Sequence, residues 1–213
     1  MPGLLVGLDG ARSGWVAAIE QGSQRHLHLI RELDELPSYE TAAIDIPLGF
    51  PTSDGRRPAE LHARRVLGPR RSSVFPTPPR AVLECPDYDE ARRVAVATTG
   101  RSVTKQAWNL QKKVLEAATW SGRLHEAHPE LAFARMTGAP MPDAKSSRQG
   151  SADRLGALAA VGLAVESFVG RNDVPLVDAI DAIACLWVAR RLRAGTAESL
   201  GCDFGPDDGP IHV

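Results

Sequence analysis

The first 31 residues contain three short apolar runs separated by two turn-like segments, and this pattern constrains the fold more than any other. The runs occupy residues 4–8, 14–20 and 25–31, and the segments between them read GARSG and QGSQ. Short apolar runs with glycine and serine between them are typical of consecutive antiparallel strands. We therefore expect a three-stranded antiparallel meander at this point of the chain.

Strand and helix signals alternate after the meander. Strands are predicted at residues 41–46 and 123–127, and helices at 58–67, 88–97, 105–120, 152–169 and 174–193. Pro47 is expected to end the fourth strand, because proline cannot donate to a sheet ladder. Asp173 is expected to cap the last helix, with Pro175 in its first turn. This order predicts an α/β fold in which a mixed sheet, with the meander joined by parallel strands, is flanked by helices.

Residues 51–103 are rich in proline and arginine and predict a helical insertion or cap over the core. A lid, a substrate groove and a dimer surface are alternative roles for it, so a homodimer stays open. Residues 138–150 predict a loop, and the acidic tail from Glu198 is expected to be loosely held. Since 213 residues match the usual size of one domain, residues 1–213 are expected to form a single domain.

Composition excludes several classes of protein. The apolar fraction of 43% and charged fraction of 24% disfavour disorder, collagen and coiled coil, and a net charge of −1 gives no global attraction to nucleic acid. Cys85, Cys185 and Cys202 lack metal-ligand spacing, and their odd number argues against a disulfide framework. We expect a reducing cytoplasm, without export or membrane insertion, because no signal-like or long apolar segment is found.

Acidic residues at the ends of apolar strands and within an apolar helix are the best indication of function. They are Asp9, Asp45, Glu126, Asp178 and Asp181. An isolated buried carboxylate costs roughly several kcal/mol unless its charge is compensated, and a divalent metal ion can compensate it. Because the chain has no cysteine or histidine cluster, the expected ion is Mg²⁺ or Mn²⁺, and the expected reaction is metal-assisted phosphoryl chemistry.

Several motifs occur together around these acids. They read GLDGARSGW, AIDIPLGF, RRVLGPRRSSVF, QAWNLQKKV, HEAHPELAF, KSSRQGSADRL and DAIDAIACLWVARR. In this order they resemble the domain-of-unknown-function family four-two-nine, which is described as predicted nucleases with a ribonuclease H-like fold. The resemblance covers nearly the whole chain.

The resemblance implies a cluster of acids that holds two divalent ions, one activating water and one stabilising the leaving oxygen of a phosphodiester. Asp9 matches the first-strand aspartate of such enzymes, and Gly7 and Gly10 beside it would permit close approach of a phosphate or metal. The implied ligands and catalytic residues are Asp9, Asp45, Glu126 and Asp181, with Asp178 as an alternative on the same helical face.

Substrate contacts are expected from two other segments. The loop RRSSVFPTPPR combines arginines, hydroxyls and an aromatic residue, which suits phosphate contact with base stacking, although a solvated arginine-rich surface is the alternative. The segment KSSRQGSADRL carries cations that would clamp a phosphate. The candidates are Arg70, Arg71, Ser72, Ser73, Arg80, Lys145 and Arg154.

Four of these acids also have a structural explanation, whereas Asp181, in a helix that is apolar all round, requires a partner. Asp9 would be held by the GLDG turn. Asp45 would bond backbone amides of the PLGF turn, and Glu126 would pair with an arginine. Glu130 would cap a helix that begins near Pro129. Asp178 would be a favourable charge near a helix N-terminus.

The leading hypothesis is a metal-dependent nuclease (a hydrolase) that acts on DNA or RNA. The first alternative is a non-catalytic module that binds nucleic acid or a nucleotide on the same fold. An ATPase of the actin-like or sugar-kinase type is less favoured, because those proteins duplicate the core and this sequence shows one meander and no GxxxxGK loop.

Overall fold

The structure is a computed structural model that describes residues 3–51, 55–201 and 209–213. Asp54, Cys202 and the acidic stretch 202–208 lie outside the described residues. The strands are β1 (Leu5–Ala11), β2 (Gly14–Gln21), β3 (Gln24–Ile30), β4 (Thr41–Ile44), β5 (Leu124–Glu126), β6 (Ser199–Leu200) and β7 (Ile211–His212). The helices are α1 (Pro58–Leu67), α2 (Arg80–Leu83), α3 (Tyr88–Thr99), α4 (Lys105–Asn109), α5 (Gln111–Thr119), α6 (Pro129–Thr137), α7 (Arg148–Ala160) and α8 (Leu176–Arg193). Short 3₁₀ turns occupy Leu33–Glu35, Gly68–Ser73, Val165–Ser167 and Arg171–Asp173.

The described residues contain a mixed five-stranded sheet in the order β3-β2-β1-β4-β5. Strands β1, β2 and β3 form the antiparallel meander, and the prediction for this part of the chain is confirmed. Strand β4 runs parallel to β1 and β5 runs parallel to β4. The carboxyl ends of these three parallel strands therefore meet at one edge of the sheet.

The register places acidic residues side by side at that edge. Leu8 is paired with Ile44, and Ile44 is paired with Glu126. Asp9 directly follows Leu8, and Asp45 directly follows Ile44. The backbone N–H of Asp45 donates to the carbonyl of Leu8 at 2.9 Å. The two aspartates are thus neighbours because the strands are parallel and in register.

Helix α8 packs across β1, β4 and β2 on one face of the sheet. Its central residues are buried nearly all round, as their apolar sequence predicts. Gly7 permits this close packing, since a Cβ there would lie 2.1 Å from the carbonyl oxygen of Ala182 and 2.1 Å from the backbone nitrogen of Leu186. Gly7 therefore serves helix packing, and the expectation that it admits a phosphate or metal ion is corrected.

The insertion is attached to the rest of the molecule by its own apolar cluster. The buried members of the cluster are Ala59, Ala63, Leu67, Val74, Leu131, Ala134, Leu200, Ile211 and Val213. They join α1 to α6 and to the β6–β7 ribbon. Glu198 and Val213 also exchange backbone hydrogen bonds at 2.8 and 2.9 Å, so the tail is paired at both of its described ends and the expectation of a loosely held tail is wrong there.

Three helix predictions differ from the structure. The predicted helix 105–120 is divided at Leu110 into α4 and α5. Helix α7 begins at Arg148, where the side chain of Ser147 accepts the N–H of Gly150, and ends at Ala160 rather than at 169. The apolar pattern continues past Ala160 because later residues reach the core through turns. Asp173 lies in a 3₁₀ turn, and the N-cap of α8 is Pro175.

No helix among the described residues is long and apolar enough to span a lipid bilayer.

We predict that Gly7→Ala lowers the free energy of unfolding by at least about 1–3 kcal/mol, because the new methyl group would overlap the backbone of α8. Urea unfolding measures this change. Gly156→Ala is the matched control, since Gly156 is an exposed residue within α7 and its Cβ would have no neighbour within 4 Å. The control is expected to stabilise the protein by about 0.5–1 kcal/mol. Equal effects of the two variants would contradict the proposed role of Gly7.

Candidate acidic cleft

A cleft of about 460 Å³ lies at the edge of the sheet where β1 and β4 end. Its core side carries Asp9, Asp45 and Asp181. Its other side is formed by the insertion, which contributes Arg70 and Phe75 among others. The cleft therefore lies between the sheet edge and the cap predicted from the sequence.

Burial and neighbouring carboxylates raise the pKa of each of the three aspartates of this cleft. Burial is the main cause for Asp9, which is 8% exposed, and the charges of Asp45 and Asp181 raise its pKa further, to well above the ordinary range. Burial raises the pKa of Asp45 to about 7, although the Lys145 ammonium opposes the shift. Burial likewise raises the pKa of Asp181 to about 6 against the effect of the same lysine. The group carries less negative charge at neutral pH than three free aspartates would.

Lys145 supplies the nearest positive charge. Its ammonium donates to Oδ2 of Asp181 at 2.6 Å, and its side chain is half exposed at the rim. Burial alone would lower the pKa of Lys145, but the carboxylates of Asp181, Asp9 and Asp45 raise it, so the ammonium form is favoured. The other carboxylate oxygen of Asp181, Oδ1, is buried without a hydrogen-bond partner.

Glu126 is held differently from the aspartates. Its two carboxylate oxygens accept Nη1 and Nη2 of Arg57 at 2.8 and 2.6 Å, and Oε2 also accepts the N–H of Leu48 at 2.8 Å. Arg57 is fully buried. Burial alone would lower the pKa of Arg57, but the charge of Glu126 outweighs this effect and raises the pKa of the guanidinium. Glu126 is therefore an ion-pair partner of an arginine, as its structural explanation proposed. In the turn after β4, the backbone N–H of Leu48 donates to Glu126, and among the described residues no hydrogen bond joins the Asp45 side chain to this turn.

Arg154, predicted to contact substrate, is 1% exposed and forms a second buried ion pair. Its Nη2 lies 2.6 and 2.8 Å from the carboxylate oxygens of Glu130. Its Nη1 donates to the carbonyls of Asp143 and Gly150 at 3.2 and 2.6 Å. These two carbonyls flank Lys145 in the chain, so Arg154 fixes the loop that carries this lysine.

The cleft contains more carboxylates than cations that pair with them. Six carboxylates line it: Asp9, Asp45, Glu60, Glu126, Glu130 and Asp181. Arg57 pairs with two of them, Glu126 and Glu60, and Arg154 and Lys145 each pair with one more. Asp9 and Asp45 have no ion-pair partner within the described parts of the chain. Two neighbouring acids, one buried and one half-buried, are therefore left without direct compensation.

The remaining predicted site residues fall into two groups. Arg70 and Ser73 line the cleft, whereas Arg71 and Ser72 are exposed and are absent from its lining. Arg80 is exposed, pairs with Glu84 at 2.9 Å and lies over the ring of Phe50. Asp178 is half-buried one turn before Asp181 and is also absent from the lining.

Lys113 and Arg57 are neighbours of the site that the sequence analysis did not identify. The ammonium of Lys113 donates to the carbonyl of Gly14 and lies 4.5 Å from the ring centre of Trp15. Its methylene carbons Cδ and Cε adjoin Gly10, the residue after Asp9. In the sequence it has the spacing of a solvated helix face. Arg57 precedes a helix by one residue, a position with no signal for burial. Neither role has a local sequence signature.

As the side chains stand, no group of three or more His, Cys, Asp or Glu residues within 3–51, 55–201 and 209–213 is arranged to hold a metal ion. The chemistry of the donors nevertheless suits a hard divalent cation, since all are carboxylates and Oδ1 of Asp181 is buried and unpaired. The type of donor therefore fits Mg²⁺ or Mn²⁺. The carboxylate side chains would have to rotate toward one another to coordinate one ion together.

Comparison with known proteins gives one match. A family model described as "Protein of unknown function (DUF429)" matches residues 7–204. No curated protein and no solved structure matches the chain.

We predict that Glu126→Gln lowers the free energy of unfolding by roughly 3–5 kcal/mol, because it leaves the buried Arg57 charge without its main partner. Urea unfolding of Glu126→Gln, Arg57→Met and the double variant forms a mutant cycle. The double variant is expected to be more stable than the sum of the single losses implies. Additive losses would show that the two side chains are not coupled.

We predict that Asp45→Asn stabilises the protein at pH 8, in chelator, by about 4 kcal/mol, since one pKa unit corresponds to about 1.36 kcal/mol. Folded Asp45 keeps its proton up to about pH 7, whereas its ordinary pKa is 3.8, so the folded state binds this proton more tightly than the unfolded state. The wild-type protein therefore loses this contribution as the pH rises from about 4 to 7. Unfolding in urea at pH 4.5 and 8 should show little gain at the lower pH, and an equal gain at both would contradict the raised pKa.

Proposed function

The chain belongs to the DUF429 family, whose function is unknown, and from this membership and the geometry of the acidic cleft we propose that it is a metal-dependent nuclease that hydrolyses phosphodiester bonds of DNA or RNA. The observation that carries the proposal is the presence of buried Asp9 and half-buried Asp45, two neighbours without an ion-pair partner in the described chain, beside the unpaired Oδ1 of Asp181. Buried acids left in this state favour either a bound cation or a proton.

The order of the sheet supports a ribonuclease H-like core. An antiparallel meander is extended on one side by two parallel strands, and a long helix packs against the first strand. Asp9 then has the first-strand position that the family resemblance implies. A fold admits many activities, so the argument for hydrolysis depends on the cleft.

We assign Asp9, Asp45 and Asp181 as the residues that would hold Mg²⁺ or Mn²⁺. Glu126 is not included, because Arg57 occupies both of its carboxylate oxygens. Asp178 is not included, because it lies outside the cleft lining. When bound, such an ion lowers the pKa of water and polarises a phosphoryl oxygen.

The chain's own residues would place the phosphodiester. Arg70, on the insertion side of the cleft, would donate hydrogen bonds to a phosphate oxygen. Lys145 holds Asp181 in position, and its half-exposed ammonium has further N–H donors for a phosphate oxygen. Arg154 and Glu130 act through the loop of Lys145 and have no direct contact with the substrate in this scheme.

A non-catalytic module that binds nucleic acid or a nucleotide is the second candidate. One observation favours it: the Lys145 ammonium already pairs with Asp181, and the acids in the described chain do not form a gathered metal site. In this function the lysine would be the permanent counter-charge of the acids, and the insertion would supply all contacts to the ligand.

Cleavage assays separate these two functions. We predict that purified protein cuts at least one member of a panel of labelled single-stranded, duplex, hybrid and branched DNA and RNA when Mn²⁺ or Mg²⁺ is added. Asp9→Asn and Asp181→Asn are expected to lose at least about 100-fold in rate, the scale of removing a group that stabilises transition-state charge.

Asp153→Asn is the control, since Asp153 accepts a hydrogen bond from Gln149 within α7 and is absent from the cleft lining. It should cut like the wild type. Cutting that survives in a folded Asp9→Asn protein would reject the assigned site. If the wild type binds nucleic acid but never cuts, the binding module is the better description.

A further inference from the structure

We infer that the cleft receives one unpaired nucleotide of a nucleic-acid strand, with its base against Phe75 and its phosphate at Arg70. This inference rests on the proposed function and names its substrate class. It follows from the size of the cleft, the two side chains of its outer wall and the anchoring of that wall.

The size of the cleft fits one nucleotide. Its volume of about 460 Å³ falls within the roughly 300–1,000 Å³ of pockets that enclose a small ligand. The insertion bounds it with Arg70, Ser73, Val74 and Phe75. Helix α4 and the residue after it bound it with Gln106 and Leu110. A duplex is much wider, since its major groove alone spans about 12 Å.

Phe75 is the aromatic surface of this cleft. It lines the cleft and 40% of its surface is exposed, so its ring is accessible to a ligand that enters the cleft. Stacking on an aromatic ring is a common and sequence-tolerant way to bind an unpaired base. In a duplex the faces of the bases are covered by their neighbours, so Phe75 favours an unpaired nucleotide.

Arg70 is the cation of the same wall. Its Nε is buried without a hydrogen-bond partner, and no ion pair links its guanidinium to another described residue. The next arginine, Arg71, is exposed and lies outside the lining. Arg70 is therefore the arginine of this turn that is placed to meet a phosphate inside the cleft.

Backbone contacts hold the segment that carries both side chains. Nη1 of Arg64 donates to the carbonyl of Val74 at 2.7 Å, directly before Phe75. Nε2 of His128 lies 3.3 Å from the carbonyl of Ser73, and the hydroxyl of Ser73 donates to the carbonyl of Arg70 at 2.9 Å. A fixed wall reduces the ordering cost of binding. The scissile phosphate would then lie between this wall and Asp9 and Asp45.

Equilibrium binding tests the inference without cleavage. Fluorescence anisotropy of labelled ten-nucleotide single strands of dT and of dA is measured in Ca²⁺ and in chelator, beside a blunt duplex of equal length and with thymidine monophosphate as competitor. The single strands are expected to bind at least 10-fold more tightly than the duplex. They should also bind more tightly than the free nucleotide, because a strand adds phosphate contacts outside the cleft.

Variants assign the contacts. Phe75→Ala is expected to weaken single-strand binding roughly 5- to 150-fold, the range for loss of one stacked base, whereas Phe75→Trp should retain it. Arg70→Ala is expected to weaken binding and to reduce the slope of log affinity against log salt by about 0.7, the value for one single-strand phosphate. The controls are Val96→Ala and Arg65→Ala, which change exposed residues outside the lining.

The outcomes distinguish this inference from the proposed function. Equal or tighter binding of the duplex, or an unchanged affinity in Phe75→Ala, would overturn the single-nucleotide cleft even if metal-dependent cutting is observed. Phe75-dependent binding of single strands without any cutting would support the cleft and reject the nuclease. Equal affinity for thymidine monophosphate and for the strands would overturn the strand as ligand and assign the cleft to free nucleotides.

Discussion

The buried ion pair between Arg57 and Glu126 is the interaction on which the arrangement of the cleft depends. Arg57 stands at the start of the insertion, and Glu126 at the end of β5, so the pair joins the cap to the edge of the sheet. Arg57 also donates to the carbonyl of Gly209 at 3.0 Å, and Glu126 accepts the N–H of Leu48 after β4. Four distant parts of the chain thus meet at one guanidinium and one carboxylate, and the outer wall is placed relative to the acids through them.

The second buried pair, Arg154 with Glu130, acts similarly on the opposite side. Together the two arginines neutralise the glutamates that surround the cleft and leave the aspartates at its centre with the single charge of Lys145. Buried arginine–glutamate pairs give little net stability relative to apolar packing, because desolvation offsets the attraction. Their value here is to define which carboxylates stay available for a ligand. The glutamates that pair with buried arginines have a structural role, and the aspartates that lack such a partner are the candidate functional acids.

Sequence reasoning predicted the parts of the fold that local patterns determine. The meander and α1 follow from turn residues and apolar spacing, and the proximity of Asp9 and Asp45 follows from parallel strands. The partner of Glu126 could not be predicted, since Arg57 lies far away in the chain and the chain is rich in other arginines. The end of α7 was missed because Leu163 and Phe168 continue the apolar pattern through turns after Gly162, whose positive φ ends the helix. In the arginine-rich loop, Arg70 is half-buried and lines the cleft, whereas Arg71 is exposed. The amino-acid composition of the loop does not distinguish these two arginines.

The contact between Arg57 and Gly209 also has a consequence for the order in which the protein acquires its shape during translation. Strands β1 to β5 leave the ribosome first and can pair at once, but α8 and the ribbon that contains Ile211 are made much later. Asp181 reaches the acids only after α8 has emerged, and the guanidinium of Arg57 gains its last acceptor only when residue 209 has been added. A nascent chain therefore displays a sheet without a finished acidic cleft until residue 209 has been added.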